Sequence, residues 1–182
     1  MSDLTQFESF NKLYRLKRGI LITEKIDGTN AQICIDDEGT VRAGSRNRWI
    51  TPSDDNYGFA RWVSEHEEEL RGLGRGRHFG EWWGAGIQRR YNLTEKRFSL
   101  FNANRWGTAP ALACCHVVPV LYQGPWSDVA IAECLERLRT EGSVAAPGFM
   151  QPEGIVIFHA PSGTGYKVTL DGDGHKGEKV AA

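Results

Sequence analysis

Two short β-branched-rich runs, Gly19-Ile20-Leu21-Ile22 and Ala31-Gln32-Ile33-Cys34-Ile35, flank a segment that carries Glu24, Lys25 and Asp27. Runs of this kind read as strands with at least one face against an apolar interior. Charge set between two such strands is costly unless it does chemistry or finds partners. The residues concerned are Lys25-Ile26-Asp27-Gly28-Thr29-Asn30. An amine becomes a covalent nucleophile when its surroundings disfavour the ammonium form or when a metal and phosphates organise the attack. The same six residues also fit a polar hairpin turn with Asp27-Gly28 at its bend.

The rest of the chain reads as one α+β domain dominated by antiparallel strands. Strands are predicted near 19–26, 30–36, 40–45, 76–83, 97–103, 112–121, 154–159 and 164–169, with Asp36-Asp37-Glu38-Gly39 as a hairpin signal. Helices are predicted over 2–17, where Leu4, Phe7, Phe10 and Leu13 recur at helical spacing, over 54–70, and over 127–139 with Gly142 beyond the end. The segment from Asp171 to Gly177 is polar and glycine-rich, and lacks the Glu that would close an EF-hand loop. At 182 residues, with no repeat and no linker, the expectation is a single domain over 1–182.

Further polar residues occur in strand-like settings. Glu81 lies in Phe79-Gly80-Glu81-Trp82-Trp83-Gly84, Phe101 in Phe98-Ser99-Leu100-Phe101-Asn102, Glu153-Gly154 opens Ile155-Val156-Ile157-Phe158, and Lys167 lies in Tyr166-Lys167-Val168. A lysine, a carboxylate, an aromatic, a second carboxylate and a second lysine thus follow in order. This arrangement resembles the covalent nucleotidyltransferase superfamily of ATP-dependent ligases and capping enzymes, and the Thr29-Asn30 ending is most similar to its RNA ligase branch. The resemblance runs from about Leu21 to Thr169 and implies a nucleotidyltransferase fold, an ATP-grasp-like ligase adenylation domain.

The resemblance also implies roles. Lys25 would attack the α-phosphate of ATP and leave a lysine–AMP phosphoramidate; such an attack needs a neutral amine, which Lys167 and a divalent metal would favour. Glu153 would bind Mg²⁺ or Mn²⁺, though it also reads as a strand-end Glu in solvent. Lys167 would contact the α-phosphate; the second lysine common in this motif is absent, with Gly165 and Thr169 at the neighbouring positions. Glu81 would accept a ribose hydroxyl, Arg46 (or Arg48) would face sugar and phosphates, and Phe101 would stack on adenine unless it is a core residue. Glu24 would line the nucleotide pocket beside Lys25, and Asp27 and Asn30 would line the same turn, with Asn30 orienting phosphate or a strand terminus. The family commonly carries a further C-terminal domain, and this chain ends soon after the last motif, so no accessory domain is expected and nick sealing by the domain alone is in question. Capping enzymes share Lys-x-Asp-Gly but use GTP.

The charge balance, 22 basic against 23 acidic residues, gives no global nucleic-acid signature, so a surface for an RNA or DNA strand with a 5′-phosphate must be local. Arg42-Arg46-Arg48, Arg71-Arg75-Arg77 and Arg89-Arg90, interleaved with Trp49, Trp82, Trp83 and Tyr91, are the candidates, with Arg89, Arg90 and Trp82-Trp83 favoured for the acceptor. Cys34, Cys114, Cys115 and Cys134 have no zinc spacing and read as reduced thiols. No apolar run approaches the roughly 20 residues that span a bilayer, and no signal peptide opens the chain. A cytoplasmic, monomeric, ATP-dependent RNA ligase or polynucleotide adenylyltransferase is the leading expectation. An orphan nucleotidyltransferase with another acceptor, a GTP-using enzyme, and a non-catalytic nucleic-acid-binding module are the alternatives.

Overall fold

The computed structural model describes residues 5–7, 9–10, 12–107 and 112–171. In chain order the strands are β1 Gly19–Lys25, β2 Thr29–Ile35, β3 Val41–Ser45, β4 Trp49–Ile50, β5 Gly76–Gly84, β6 Lys96–Leu100, β7 Cys115–Val117, β8 Val120–Pro125, β9 Gly154–His159 and β10 Thr164–Thr169. The helices are α1 Phe59–Glu65, α2 Glu67–Leu70, α3 Ala103–Trp106 and α4 Asp128–Glu141. They assemble into a four-stranded sheet in the order β10-β9-β1-β8 and a six-stranded sheet in the order β4-β3-β2-β5-β6-β7. Every pairing is antiparallel except β6 with β7.

The hairpin reading of Asp27-Gly28 fails. β1 and β2 are consecutive in the chain yet lie in different sheets, so residues 26–28 carry the backbone from one sheet to the other. Gly28 makes that crossing possible. A Cβ there would sit 2.4 Å from the Trp82 carbonyl oxygen and 2.7 Å from the Trp83 Cβ, closer than any real side chain tolerates. The segment after Lys25 is therefore pressed directly onto β5, which carries Glu81.

Three apolar clusters hold this arrangement. One packs Ile33, Phe59, Leu70, Trp82, Phe98 and Leu100 between the six-stranded sheet and α1. A second packs Ile20, Ile22, Ile155 and Ile157 against Cys134 and Leu138 of α4. The third, Ile26, Trp83, Tyr91, Val118, Ala146 and Phe149, fills the junction between the sheets. In it Tyr91 meets Trp83 edge-on at 4.9 Å and Phe149 at 4.6 Å. Side chains of this size each contribute about 2–3 kcal/mol when fully buried, so the junction is a stable corner.

The helices depart from expectation for local reasons. The predicted 54–70 helix starts only at Phe59, because Tyr57 and Gly58 take left-handed dihedrals and the Asp55 carboxylate accepts the Ala60 and Arg61 N–H groups at 2.8 and 3.1 Å. Ser127 caps α4 through the Ala130 N–H, and Gly142 ends it at φ 82°. The helix predicted over 2–17 is absent from the described residues of that stretch, and Ser2 and Leu4 lie outside them. Of the glycine-rich segment only Asp171 is described. Among the described residues no helix is long and apolar enough to cross a membrane.

Candidate active site

Lys25 ends β1 and is registered with Gly154 at the start of β9. Gly154 has φ 152°, and a Cβ there would lie 2.1 Å from the Val168 carbonyl oxygen. Only glycine lets β9 begin so close to β10, and the preceding residue, Glu153, is thereby turned towards Lys25. The Lys25 Nζ donates to Glu153 Oε2 at 2.6 Å, with 23% and 17% of the two side chains exposed.

Strand alternation sorts the neighbours. Thr23, Val156 and Lys167 form one cross-strand row, so Lys167 shares a sheet face with Lys25. Lys167 is exposed and has no partner among the described residues. Glu24 points the other way. Its carboxylate, fully buried, accepts from the Ser143 hydroxyl at 2.6 Å and from the Val144 and Ala145 N–H groups at 2.8 and 2.9 Å. The expectation that Glu24 lines the pocket beside Lys25 is corrected accordingly: its side chain clasps the 143–145 loop from the opposite face of β1.

From the other sheet comes Glu81, 7% exposed and paired across β2–β5 with Asn30. Its Oε1 accepts the Gly28 N–H at 3.1 Å and its Oε2 the Asn30 amide at 2.9 Å. Burial pushes its carboxyl up to about 7, against the opposing pull of Lys25 and of these hydrogen bonds. Burial likewise raises Glu24. In the unfolded chain Glu81 titrates near 4.5, so between that pH and about 7 the folded protein keeps a proton that the unfolded chain loses. Stability must then fall as pH rises through that window, by on the order of 3 kcal/mol for Glu81, and level off above it. Urea unfolding of the nucleotide-free protein between pH 5 and 8 should show this slope, and Glu81→Gln should make it shallower, leaving the part that Glu24 contributes. An equal slope in the variant would assign it elsewhere.

Phe101 is 41% exposed and follows β6, whose Phe98 and Leu100 are fully buried, so the alternative of a core Phe is excluded. Its N–H donates to the Phe79 carbonyl at 2.9 Å, which puts it beside Phe79 on the Glu81 face of the sheet. Arg46 sits in the β3–β4 turn, exposed and without a partner among the described residues, whereas Arg48 is held by Asp54.

The favoured acceptor surface is not built as expected. Trp82 and Trp83 are 2% and 1% exposed and Tyr91 is equally buried, so none can stack on a base. Arg89 is half-buried: its Nε donates to Asp27 Oδ2 at 3.1 Å, and its two terminal nitrogens donate to the Gln151 carbonyl and to Asp171. Arg42, Arg71 and Arg75 are tied to Asp36, Glu67 and Asp37. The exposed stacking group in these clusters is Trp49, with the Arg77 guanidinium 5.3 Å from its ring centre. Tyr91, expected among the surface aromatics, is instead a buried anchor whose hydroxyl accepts the Asp27 N–H at 2.7 Å, and sequence reasoning missed the Ser143 loop. Tyr91 takes a left-handed φ of 52°, which no pattern of residue types announces.

Among the described residues no three His, Cys, Asp or Glu side chains gather into a metal cage. The carboxylate hydrogen-bonded to Lys25 is that of Glu153. That donor set suits Mg²⁺ or Mn²⁺ held jointly by one carboxylate, phosphate oxygens and water, and does not suit a metal bound by protein alone.

The sequence matches the RNA ligase family profile over residues 18–168. No curated protein sequence matches the chain. Among solved structures, a substituted Naegleria gruberi RNA ligase with ATP and Mn superposes with TM-score 0.62 at 18% identity, over 86% of this chain and 51% of that one. A second variant of the same enzyme, with AMP and Mn, gives the same four values. The enzyme with PPi gives TM-score 0.59 at 19% identity, over 85% and 50%. The chain thus spans about half the length of these solved relatives.

Proposed function

The chain belongs to the RNA ligase family, and from that membership we propose that it is an ATP-dependent RNA ligase whose described domain forms a covalent lysine–AMP intermediate. The observation that carries this reading is the Lys25–Glu153 contact at the mouth of two sheets, with Glu81, Asn30 and Phe101 on one wall and Lys167 on the other.

Lys25 Nζ, once it has given up a proton to water, attacks the α-phosphorus of ATP. A P–N bond forms, the bond from phosphorus to the bridging oxygen breaks, and pyrophosphate leaves with the electron pair. Lys167, unpaired on the same face, neutralises charge developing on the α-phosphate. Glu81 and Asn30, already joined by a hydrogen bond, present acceptor and donor to the ribose hydroxyls, and Phe101 offers its open face to adenine. Arg46 reaches sugar and phosphates from the β3–β4 turn. A divalent ion held by Glu153 and the nucleotide would draw charge from the phosphates. An oxygen of a strand's 5′-phosphate, RNA or DNA, then attacks the AMP phosphorus and the P–N bond breaks to return Lys25; the adjoining 3′-hydroxyl next attacks the 5′-phosphorus, forming the phosphodiester as AMP leaves. Residues 18–168 act in this scheme as one adenylation unit, monomeric in solution.

Intact-mass measurement after incubation with ATP and Mg²⁺ or Mn²⁺, and separately with GTP, tests the reading. An AMP-sized increment from ATP alone is expected. A GMP-sized increment would make the protein a guanylyltransferase, and no increment from either would make it a non-catalytic member of its family.

A further inference from the structure

Resting on the adenylyltransferase reading above, we propose that Arg89 is a positioning residue that sets the angle at which Lys25 and Glu153 meet. Its guanidinium spans three chain segments that carry the candidate site. Asp27 stands two residues after Lys25, Gln151 two residues before Glu153, and Asp171 two residues after the end of β10, which carries Lys167. Arg89 touches all three, with 3.1 Å to Asp27 Oδ2, 3.0 Å to the Gln151 carbonyl, and an ion pair to Asp171. The Lys25–Glu153 contact and the Asp27–Arg89–Gln151 bridge are thus two parallel ties between the same two chain ends. A single tie is a hinge. Two ties fix an orientation.

The loop that delivers Arg89 is strained for the purpose. Gln88, Arg90, Tyr91 and Asn92 all take positive φ between 43° and 61°, a conformation disfavoured for each. Buried anchors over-determine it: Ile87 and Tyr91 are fully buried on either side of Arg89, and the Tyr91 hydroxyl accepts the Asp27 N–H at 2.7 Å. Asp27 is therefore gripped twice from this loop, once through its backbone and once through its carboxylate. A planar fork with several fixed donors suits such a junction, and a lysine does not.

The residues that would bind the nucleoside, Asn30 and Glu81 in the other sheet and Phe101 just after it, are not among the hydrogen-bond partners of Arg89, which are Asp27, Gln151 and Asp171. Loosening Arg89 should therefore harm the bond-forming step and spare nucleotide binding. In single-turnover adduct formation, Arg89→Ala should lower the rate at saturating ATP by about 100-fold, the cost of misplacing a reacting group by an ångström or so. The ATP concentration giving half the maximal rate should change less than threefold or so. Arg89→Lys, which keeps the charge and the stem, should fold like the parent and still be slowed at saturating ATP. The wild-type protein is run alongside: if it forms no adduct, the adenylyltransferase reading fails. If it does, and both variants match it at saturating ATP, or lose only apparent ATP affinity, Arg89 does not position the nucleophile.

Discussion

Replacing Lys25 by alanine is expected to abolish the covalent nucleotide adduct completely while the domain still folds. The side chain ends β1 in a partly open site and contributes no buried volume to any of the three apolar clusters. What folding loses is one ion pair with Glu153, itself partly exposed, and pairs of that kind are worth about 1 kcal/mol or less. What chemistry loses is the lysine amine that the structure sets against the candidate metal carboxylate. Lys25→Arg should fail as well, because a guanidinium keeps its proton. Intact mass after incubation with ATP and Mg²⁺ reads the adduct, and a thermal melt reads the fold. An adduct that survives in Lys25→Ala would transfer the nucleophile to Lys167, which shares the face and has no partner among the described residues.

The parts of this design that were legible in the sequence are those dictated by local pattern. β9 and β10 begin and end where alternation and the flanking turns put them, and α4 runs from its serine cap to its glycine stop. The candidate site residues stand out in the sequence for another reason: Lys25, Glu81 and Lys167 are charges in strands and Glu153 directly precedes one, and such charges need an explanation. Which sheet each strand joins was not legible. Asp27-Gly28 has the composition of a hairpin bend, and only the close approach of Gly28 to Trp82 and Trp83 shows it to be a crossing between sheets. The faces of long side chains were misread for the same cause. Glu24 and Lys25 are adjacent in sequence and opposite in space, one clasping the 143–145 loop and the other meeting Glu153. Arg89 and Trp82-Trp83 have the composition of a nucleic-acid surface, but packing buries the two tryptophans and ion pairs to Asp27 and Asp171 engage the arginine.

Glu153→Gln should cut the rate of adduct formation by about 100-fold or more and shift its dependence on divalent metal. The substitution keeps the shape, and the amide oxygen can still accept from Lys25 Nζ, so the fold should survive. Two consequences of the lost charge oppose each other, and their balance is what the experiment measures. The Glu153 carboxylate, 2.6 Å from Nζ, ties the amine down, and that tie must be released before Nζ can reach phosphorus. Were this its whole role, weakening the tie would speed the reaction. If instead the carboxylate holds the divalent ion, the amide binds it far more weakly, since Mg²⁺ selects charged, hard oxygen ligands. The phosphates then go without neutralisation, and the reaction slows. The second effect should win, because developing charge in the transition state outweighs one partly exposed ion pair in the ground state. Initial rates measured across Mg²⁺ and Mn²⁺ concentrations decide between them. A slow variant that recovers only at high metal places Glu153 in the ion's shell. A fast variant, or one that titrates with Mg²⁺ as the wild type does, removes it from that shell and leaves the ion to the nucleotide alone.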